Sequence, residues 1–263
     1  AKIEHPVALD HLDEILEVAD AVMVARGDLG VEIPLEEVPI AQQKIIDSAL
    51  ERGMPVIVAT QMLETMTVNP RPTRAEVSDI STAIRQGATG VMLSGETASG
   101  KYPIESVQTM AKIAQSTEEG LDSSDLKPES KSKYRFTRAV AHAGVELAKM
   151  AKAARLLVAT ERGNAPRLVA LNKPEIPVTA VTNNIETARK VQILPGVDSI
   201  VVEEYDRGSQ TMQKAISLLV ESGAVKPGEK IVAISGSPKA ISGLTSTARL
   251  YKVSNTGEIV GAE

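Results

Sequence analysis

Short aliphatic runs, each closed by polar residues and followed by an amphipathic stretch, constrain this chain more than any other feature of it. The runs are Ala21–Ala25, Pro55–Thr60 and Gly90–Leu93, and Lys2–Glu4 reads as the end of an earlier one. Continuous apolar strands that alternate with helical periodicity specify a parallel sheet covered by helices. Leu35–Arg52 places Ile45, Ile46 and Ala49 on one helical side, with Gly53 at the stop position. Thr73-Arg74-Ala75-Glu76 is a capping box for a helix that ends near Gln86 before Gly87, and a third helix runs from about Ile104 to Glu118.

Residues Gly120–Lys133 are almost without apolar side chains and read as a solvated linker. A second α/β block follows. Its expected strands are Leu156–Ala159, Val178–Val181, Ile200–Glu203, Ile231–Ser235 and Arg249–Val253, with helices over Thr137–Ala153, Arg167–Leu171, Ile185–Val191 and Ser209–Glu221. The expected partition is 1–119, a linker at 120–136, and 137–263.

Composition removes several function classes. The chain contains no cysteine, so a disulfide scaffold, a thiolate nucleophile and a Cys-ligated zinc site are excluded. With 29 Lys+Arg against 34 Asp+Glu it carries a formal charge of −5, which argues against a nucleic-acid partner. One Phe, four Tyr and no Trp leave few platforms for stacking bases or flat cofactors. No apolar run approaches the ~20 residues that span a bilayer, and no apolar leader opens the sequence. The expectation is a soluble cytoplasmic protein.

Four strand ends carry polar residues that a sheet does not require: Lys2 and Glu4, Arg26-Gly27-Asp28, Thr60-Gln61, and Ser94-Gly95-Glu96. In a parallel β/α architecture the carboxyl ends of the strands line the site, so these groups should converge. Glu4 and Asp28, with no His or Cys beside them, suit a hard cation such as Mg2+ or Mn2+. Lys2, two residues from Glu4, shares its side of the strand. A cation beside a metal-binding carboxylate suits an oxyanionic, phosphate-bearing substrate. Gly27 permits close backbone approach, and Thr60 offers a hydroxyl. His5, His11 and His142 are scattered and belong to no such group, and Met62, Met66 and Met92 sit inside apolar motifs, where core packing is the better reading. The residues alone reach metal-assisted chemistry on a small anionic substrate.

Longer motifs go further. Lys2-Ile3-Glu4, Val24-Ala25-Arg26-Gly27-Asp28-Leu29-Gly30, Ala59-Thr60-Gln61-Met62-Leu63-Glu64-Thr65-Met66, Pro70-Arg71-Pro72-Thr73-Arg74-Ala75-Glu76 and Met92-Leu93-Ser94-Gly95-Glu96-Thr97-Ala98 resemble, in order and spacing, the core motifs of the pyruvate kinase family. Ala180-Val181-Thr182 followed by Thr187-Ala188-Arg189 resembles its C-terminal domain.

The resemblance implies an α/β fold in which the second half of a (β/α)8 barrel precedes a separate α/β effector and assembly domain. It also implies that the sequence begins within the fifth barrel strand, so the fragment alone should be inactive. The implied reaction is phosphoryl transfer from phosphoenolpyruvate to ADP, giving pyruvate and ATP, with Mg2+ (Mn2+ as alternative) and K+, whose usual site would lie outside this chain. The full-length enzyme would be a homotetramer. By the same resemblance Glu4 and Asp28 ligate the metal, Lys2 neutralises the phosphoryl group in flight, and Gly27 with the Asp28 amide holds the substrate carboxylate. Thr60 lies near that carboxylate and the protonated face, and Ser94 and Glu96 belong to the polar network behind it. Arg26, Arg71 and Arg74 stand near the contact between subunits.

In the effector region the family's sugar-bisphosphate-activated members read Thr-x-Ser-Gly-x-Ser/Thr. Here the loop is Thr160-Glu161-Arg162-Gly163-Asn164-Ala165, which keeps Thr160 and Gly163 and loses both later hydroxyls. Arg162 could meet a phosphate directly, and Lys239 in the loop Ser235–Gly243 could meet a monophosphate. Fructose 1,6-bisphosphate is therefore not the expected activator. The rival readings are a metal-dependent aldolase acting on a related substrate, and a non-catalytic regulatory or assembly module that binds a phosphorylated effector.

Overall fold

The structure is a computed structural model that describes residues 1–121, 134–203, 209–236, 245–254 and 259–261. The chain divides into two compact units, Ala1–Lys131 and Ser132–Glu263.

The first unit follows the strand–helix alternation. Strands β1 (Lys2–Ile3), β2 (Val22–Ala25), β3 (Val56–Ala59) and β4 (Gly90–Met92) form one parallel sheet in sequence order. Helices α1 (Pro6–Asp10), α2 (Leu12–Val18), α3 (Arg26–Glu32), α4 (Val38–Glu51), α5 (Arg74–Gln86), α6 (Gly95–Ala98) and α7 (Pro103–Glu119) connect and cover it.

Register separates the two faces of this sheet. Ile3, Val22, Val24, Val56 and Val58 are buried on one face against Leu12, Leu16, Ile45, Ile46, Ile80 and Met110. Burying a side chain of this size contributes about 1.5–3 kcal/mol, an upper estimate of the gain on folding. Lys2, Met23, Ile57 and Gly90 lie in one register row on the opposite face.

Helix ends in this unit follow local rules. The Thr73 hydroxyl accepts from the Glu76 amide while Glu76 accepts from the Thr73 amide, the reciprocal box expected from sequence. Gly87 ends α5 at φ 104°, and a Cβ there would stand 2.5 Å from Leu50 Cδ1. The left-handed backbone is what requires glycine there.

Two strand ends continue as helices instead. Arg26-Gly27-Asp28 opens α3, and Gly95-Glu96 opens α6. Glycine conceals the helical tendency in sequence. Buried Leu29 and the acidic first turn supply it in the fold.

In the second unit, α8 (Arg135–Ala151) precedes β5 (Arg155–Ala159), α9 (Asn164–Ala170), β6 (Val178–Thr182), α10 (Ile185–Lys190) and β7 (Val197–Val201). Then come α11 (Ser209–Glu221), β8 (Lys230–Gly236), β9 (Thr245–Val253) and β10 (Ile259–Gly261). The sheet order is β10-β9-β8-β5-β6-β7, parallel through β8, β5, β6 and β7 and antiparallel at β9 and β10.

Both faces of this sheet are covered. Leu156, Val158, Val232 and Ile234 pack with α8 and α9, whereas Leu157, Ala159, Ile231 and Ala233 pack with α11. Two-sided burial explains the unbroken apolar runs. Strand β7 begins three residues before the expected Ile200, because the turn at Gly196 (φ 65°) delivers Val197 directly opposite Val178. Most of the expected linker, residues 122–133, and the loop that carries Lys239 lie outside the described residues.

Candidate active site

The carboxyl ends of β1 to β4 bring the polar residues into two adjoining groups. In the first, the Lys2 ammonium meets two carboxylates: it donates to Asp28 Oδ2 at 2.7 Å and pairs with Glu4. Lys2 and Glu4 do face the same way, as a two-residue spacing on a strand requires. Asp28 sits in the first turn of α3, where the positive end of the helix favours an anion. The hydrogen bond from Lys2 holds the Asp28 carboxyl below the usual carboxylate range. The bonds to Asp28 and then Glu4 raise the Lys2 ammonium. Lys2 and Asp28 are both more than half exposed, so the group is open to an incoming anion.

The second group is built on Thr60. Its Oγ1 accepts from the Gly27 amide at 2.8 Å and donates to the Ala59 carbonyl at 2.6 Å. The expectation that Gly27 presents its amide to a substrate carboxylate differs from this arrangement, in which Thr60 takes that donor. The glycine instead permits contact between two chain segments, since a Cβ would stand 3.3 Å from Thr60 Oγ1. The Gly27–Asp28 peptide links the two groups.

Thr60 and Gln61 adopt φ 71° and 53° in succession. A β-branched residue in the left-handed region costs of order 1–3 kcal/mol and persists only when its surroundings enforce it.

Three charged side chains do so. Arg26 donates through Nη2 to the Thr60 carbonyl at 2.6 Å and the Gln61 carbonyl at 3.3 Å, and through Nη1 to Asp79 at 2.7 Å. Buried Glu96 accepts from the Leu63 amide at 3.0 Å and the Ser94 amide at 2.8 Å. Glu76, beyond capping α5, accepts from the Thr65 amide at 2.7 Å. Burial would raise the Glu76 carboxyl, but the amides of Thr65 and Thr73 outweigh it and leave the group below its ordinary value.

The other expected residues fall as follows. Ser94 is held by its amide to Glu96. Arg26, expected with Arg71 and Arg74 near a subunit contact, directs its guanidinium toward Asp79 with 11% of the side chain exposed. Arg71 and Arg74 are exposed. His5 caps α1 and His11 pairs with Glu14, neither joining the site. His142 meets Asn172 on the second unit. Met62 and Met66 are fully buried.

In the second unit Thr160 Oγ1 accepts from the Gly163 amide at 2.9 Å, with Gly163 at φ 82°. Arg162 is exposed beside them, and Lys239 lies outside the described residues.

Sequence reasoning misses Asp79, whose partner stands 53 residues away, and the bridging part of Glu96. Neither pairing has a local signature. Among the described residues no three His, Asp or Glu side chains gather around a metal position. The pair Glu4 and Asp28 still fits Mg2+, which binds through one or two carboxylates and completes its shell with water and substrate oxygens. No described helix is long and apolar enough to cross a membrane.

Comparison with known proteins adds the family. Residues 1–107 match the family model described as pyruvate kinase, barrel domain, and residues 138–251 match pyruvate kinase, alpha/beta domain. The chain is 41% identical over 257 residues to pyruvate kinase of Geobacillus stearothermophilus, covering 97% of this chain and 44% of that protein. It is 40% identical over 255 residues to pyruvate kinase of Clostridium acetobutylicum, covering 96% and 54%. A solved pyruvate kinase from Cryptosporidium parvum superposes with a TM-score of 0.86 at 32% identity, over 95% of this chain and 50% of that one. The chain thus spans about half the length of the relatives it matches. The first unit is part of a (β/α)8 barrel, the second is the α/β domain that follows it, and the chain belongs to the pyruvate kinase family.

Proposed function

We propose that the protein carrying this chain transfers the phosphoryl group of phosphoenolpyruvate to ADP, giving pyruvate and ATP in cytoplasmic glycolysis. The observation that carries this reading is the Lys2–Glu4–Asp28 group at the strand ends, a cation and two hard-oxygen donors open to solvent. Glu4 and Asp28 would hold Mg2+ or Mn2+. Bound there, the ion would supply charge neutralisation for an anionic substrate.

Lys2 then faces the phosphoryl oxygens, where a fixed positive charge counts most as the group leaves. Thr60, anchored by Gly27, orients the substrate carboxylate and the enolate face, and Ser94 borders the same pocket. Residues 1–119 contribute to the catalytic barrel, and 137–263 serve effector binding and assembly, with Thr160, Arg162, Gly163 and Lys239 toward the effector. Family likeness supports K+ dependence and a homotetramer with Arg71 and Arg74 near its contacts.

The test is Asp28→Asn in the full-length protein. Turnover should fall by at least about 100-fold and Mn2+ affinity, read by electron paramagnetic resonance, should weaken, because an amide replaces a charged oxygen. Normal rate and normal Mn2+ binding would remove Asp28 from the site.

A further inference from the structure

We propose that Arg26 is a positioning residue: it fixes Thr60 by holding the carbonyls of Thr60 and Gln61, with Asp79 anchoring the guanidinium. This rests on the functional reading above, in which Thr60 meets substrate.

Charge polarity in the loop after β3 is ordered. Its carbonyls at 60 and 61 face one cation, Arg26. Its amides at 63 and 65 face two anions, Glu96 and Glu76. The carbonyl end is also the strained end, with two successive positive φ values. Relaxation of Thr60 to negative φ would turn its hydroxyl away from the Gly27 amide, which it now meets at 2.8 Å.

Arg26 suits this task and lysine does not. One planar fork reaches a carboxylate on α5 and two carbonyls on the loop together. A nearly buried guanidinium requires a fixed counter-charge, which Asp79 supplies at 2.7 Å. Because Arg26 also begins α3, the chain that aims Asp28 at Lys2 carries the side chain that aims Thr60.

The experiment uses the full-length protein with Arg26→Met, Arg26→Lys and Asp79→Asn. In Arg26→Met, kcat should fall roughly 10- to 100-fold while Mn2+ affinity stays within about 3-fold, since a misplaced orienting group slows chemistry without touching the carboxylates. Arg26→Lys should recover only part of the rate. Hydrogen exchange at the Gly27 amide should accelerate in Arg26→Met, a readout independent of turnover.

Wild-type kcat in Arg26→Met overturns the proposal, and so does equal loss of rate and Mn2+ binding, which marks general collapse. If Arg26→Met does not fold, Asp79→Asn decides: faster Gly27 exchange with normal Mn2+ binding supports the proposal, and unchanged exchange overturns it. A wild-type protein without phosphoryl transfer sinks the functional reading alone, and Gly27 exchange then judges Arg26 by itself.

Discussion

The same tripeptide ends a central strand in each unit: Val58-Ala59-Thr60 at β3 and Val158-Ala159-Thr160 at β5. In both, the threonine hydroxyl accepts from a glycine amide, at 2.8 Å from Gly27 and 2.9 Å from Gly163. There the likeness stops. Gly163 lies three residues on in the same loop, so Thr160 closes a turn upon itself and is buried. Gly27 comes from another strand end, 33 residues earlier, and Thr60 stays half-buried beside a charged group. Local closure makes a rigid loop. Closure across strands makes a site.

The sharpest way to break this contrast is to remove both hydroxyls. Thr60→Val in the full-length protein should lower kcat about 100-fold, because an orienting group at the substrate edge is lost. Thr160→Val should register as lower stability, about 1–2 kcal/mol for an amide left unsatisfied in a buried turn. Equal losses of kcat in the two variants would erase the distinction.

A second test asks whether the second unit is governed by packing. A Cβ at Gly144 on α8 would collide with Ile234 Cδ1 and stand 2.8 Å from its Cγ1. Gly144→Ala should cost about 1–3 kcal/mol in urea unfolding, as overpacked cores do. An unchanged midpoint would mean that α8 sits more loosely on β8.

Acid sensitivity sharpens the other side. The folded state holds the Glu76 carboxyl below its ordinary value, so its contribution is present above the unfolded pKa and disappears as pH falls through the folded one. Glu76→Gln should therefore cost most near neutrality, under about 1 kcal/mol after solvent screening, and nothing in acid. A constant difference at every pH would assign the loss to capping geometry. The smallest response is expected from fructose 1,6-bisphosphate. Titrated at subsaturating phosphoenolpyruvate it should not activate, and strong micromolar activation would show that the Thr160–Gly163 loop binds phosphate without the missing hydroxyls.

What could be read from the sequence follows the same division. The Thr73–Glu76 box and the Gly87 stop are set within a turn of chain, and both stand where the residues place them. The strand runs of the second unit are legible because burial on both faces of the sheet leaves a continuous apolar signature. The Lys2, Glu4 and Asp28 group is legible too, since strand ends in a parallel sheet must converge. The left-handed pair at Thr60 and Gln61 is not, because no propensity places threonine there. Arg26, Glu76 and Glu96, reaching in from elsewhere, hold that loop in place. Short helices α3 and α6 escape for a related reason: their glycines argue against helix, and tertiary contact overrides them.

Strand order has a further consequence, for the time course of folding. In the first unit each strand pairs with the one made just before it, so β2, β3 and β4 can add in turn as the chain grows. In the second, β5 lies between β6 and β8, and Leu156 finds its partner Val232 only after α9, α10 and α11 have been synthesised. Closing so long a loop before its contacts are gained slows a sheet. Within the second unit the arrival of β8 should therefore set the pace, and the half-made edge at β5 is what a chaperone would need to shield until then.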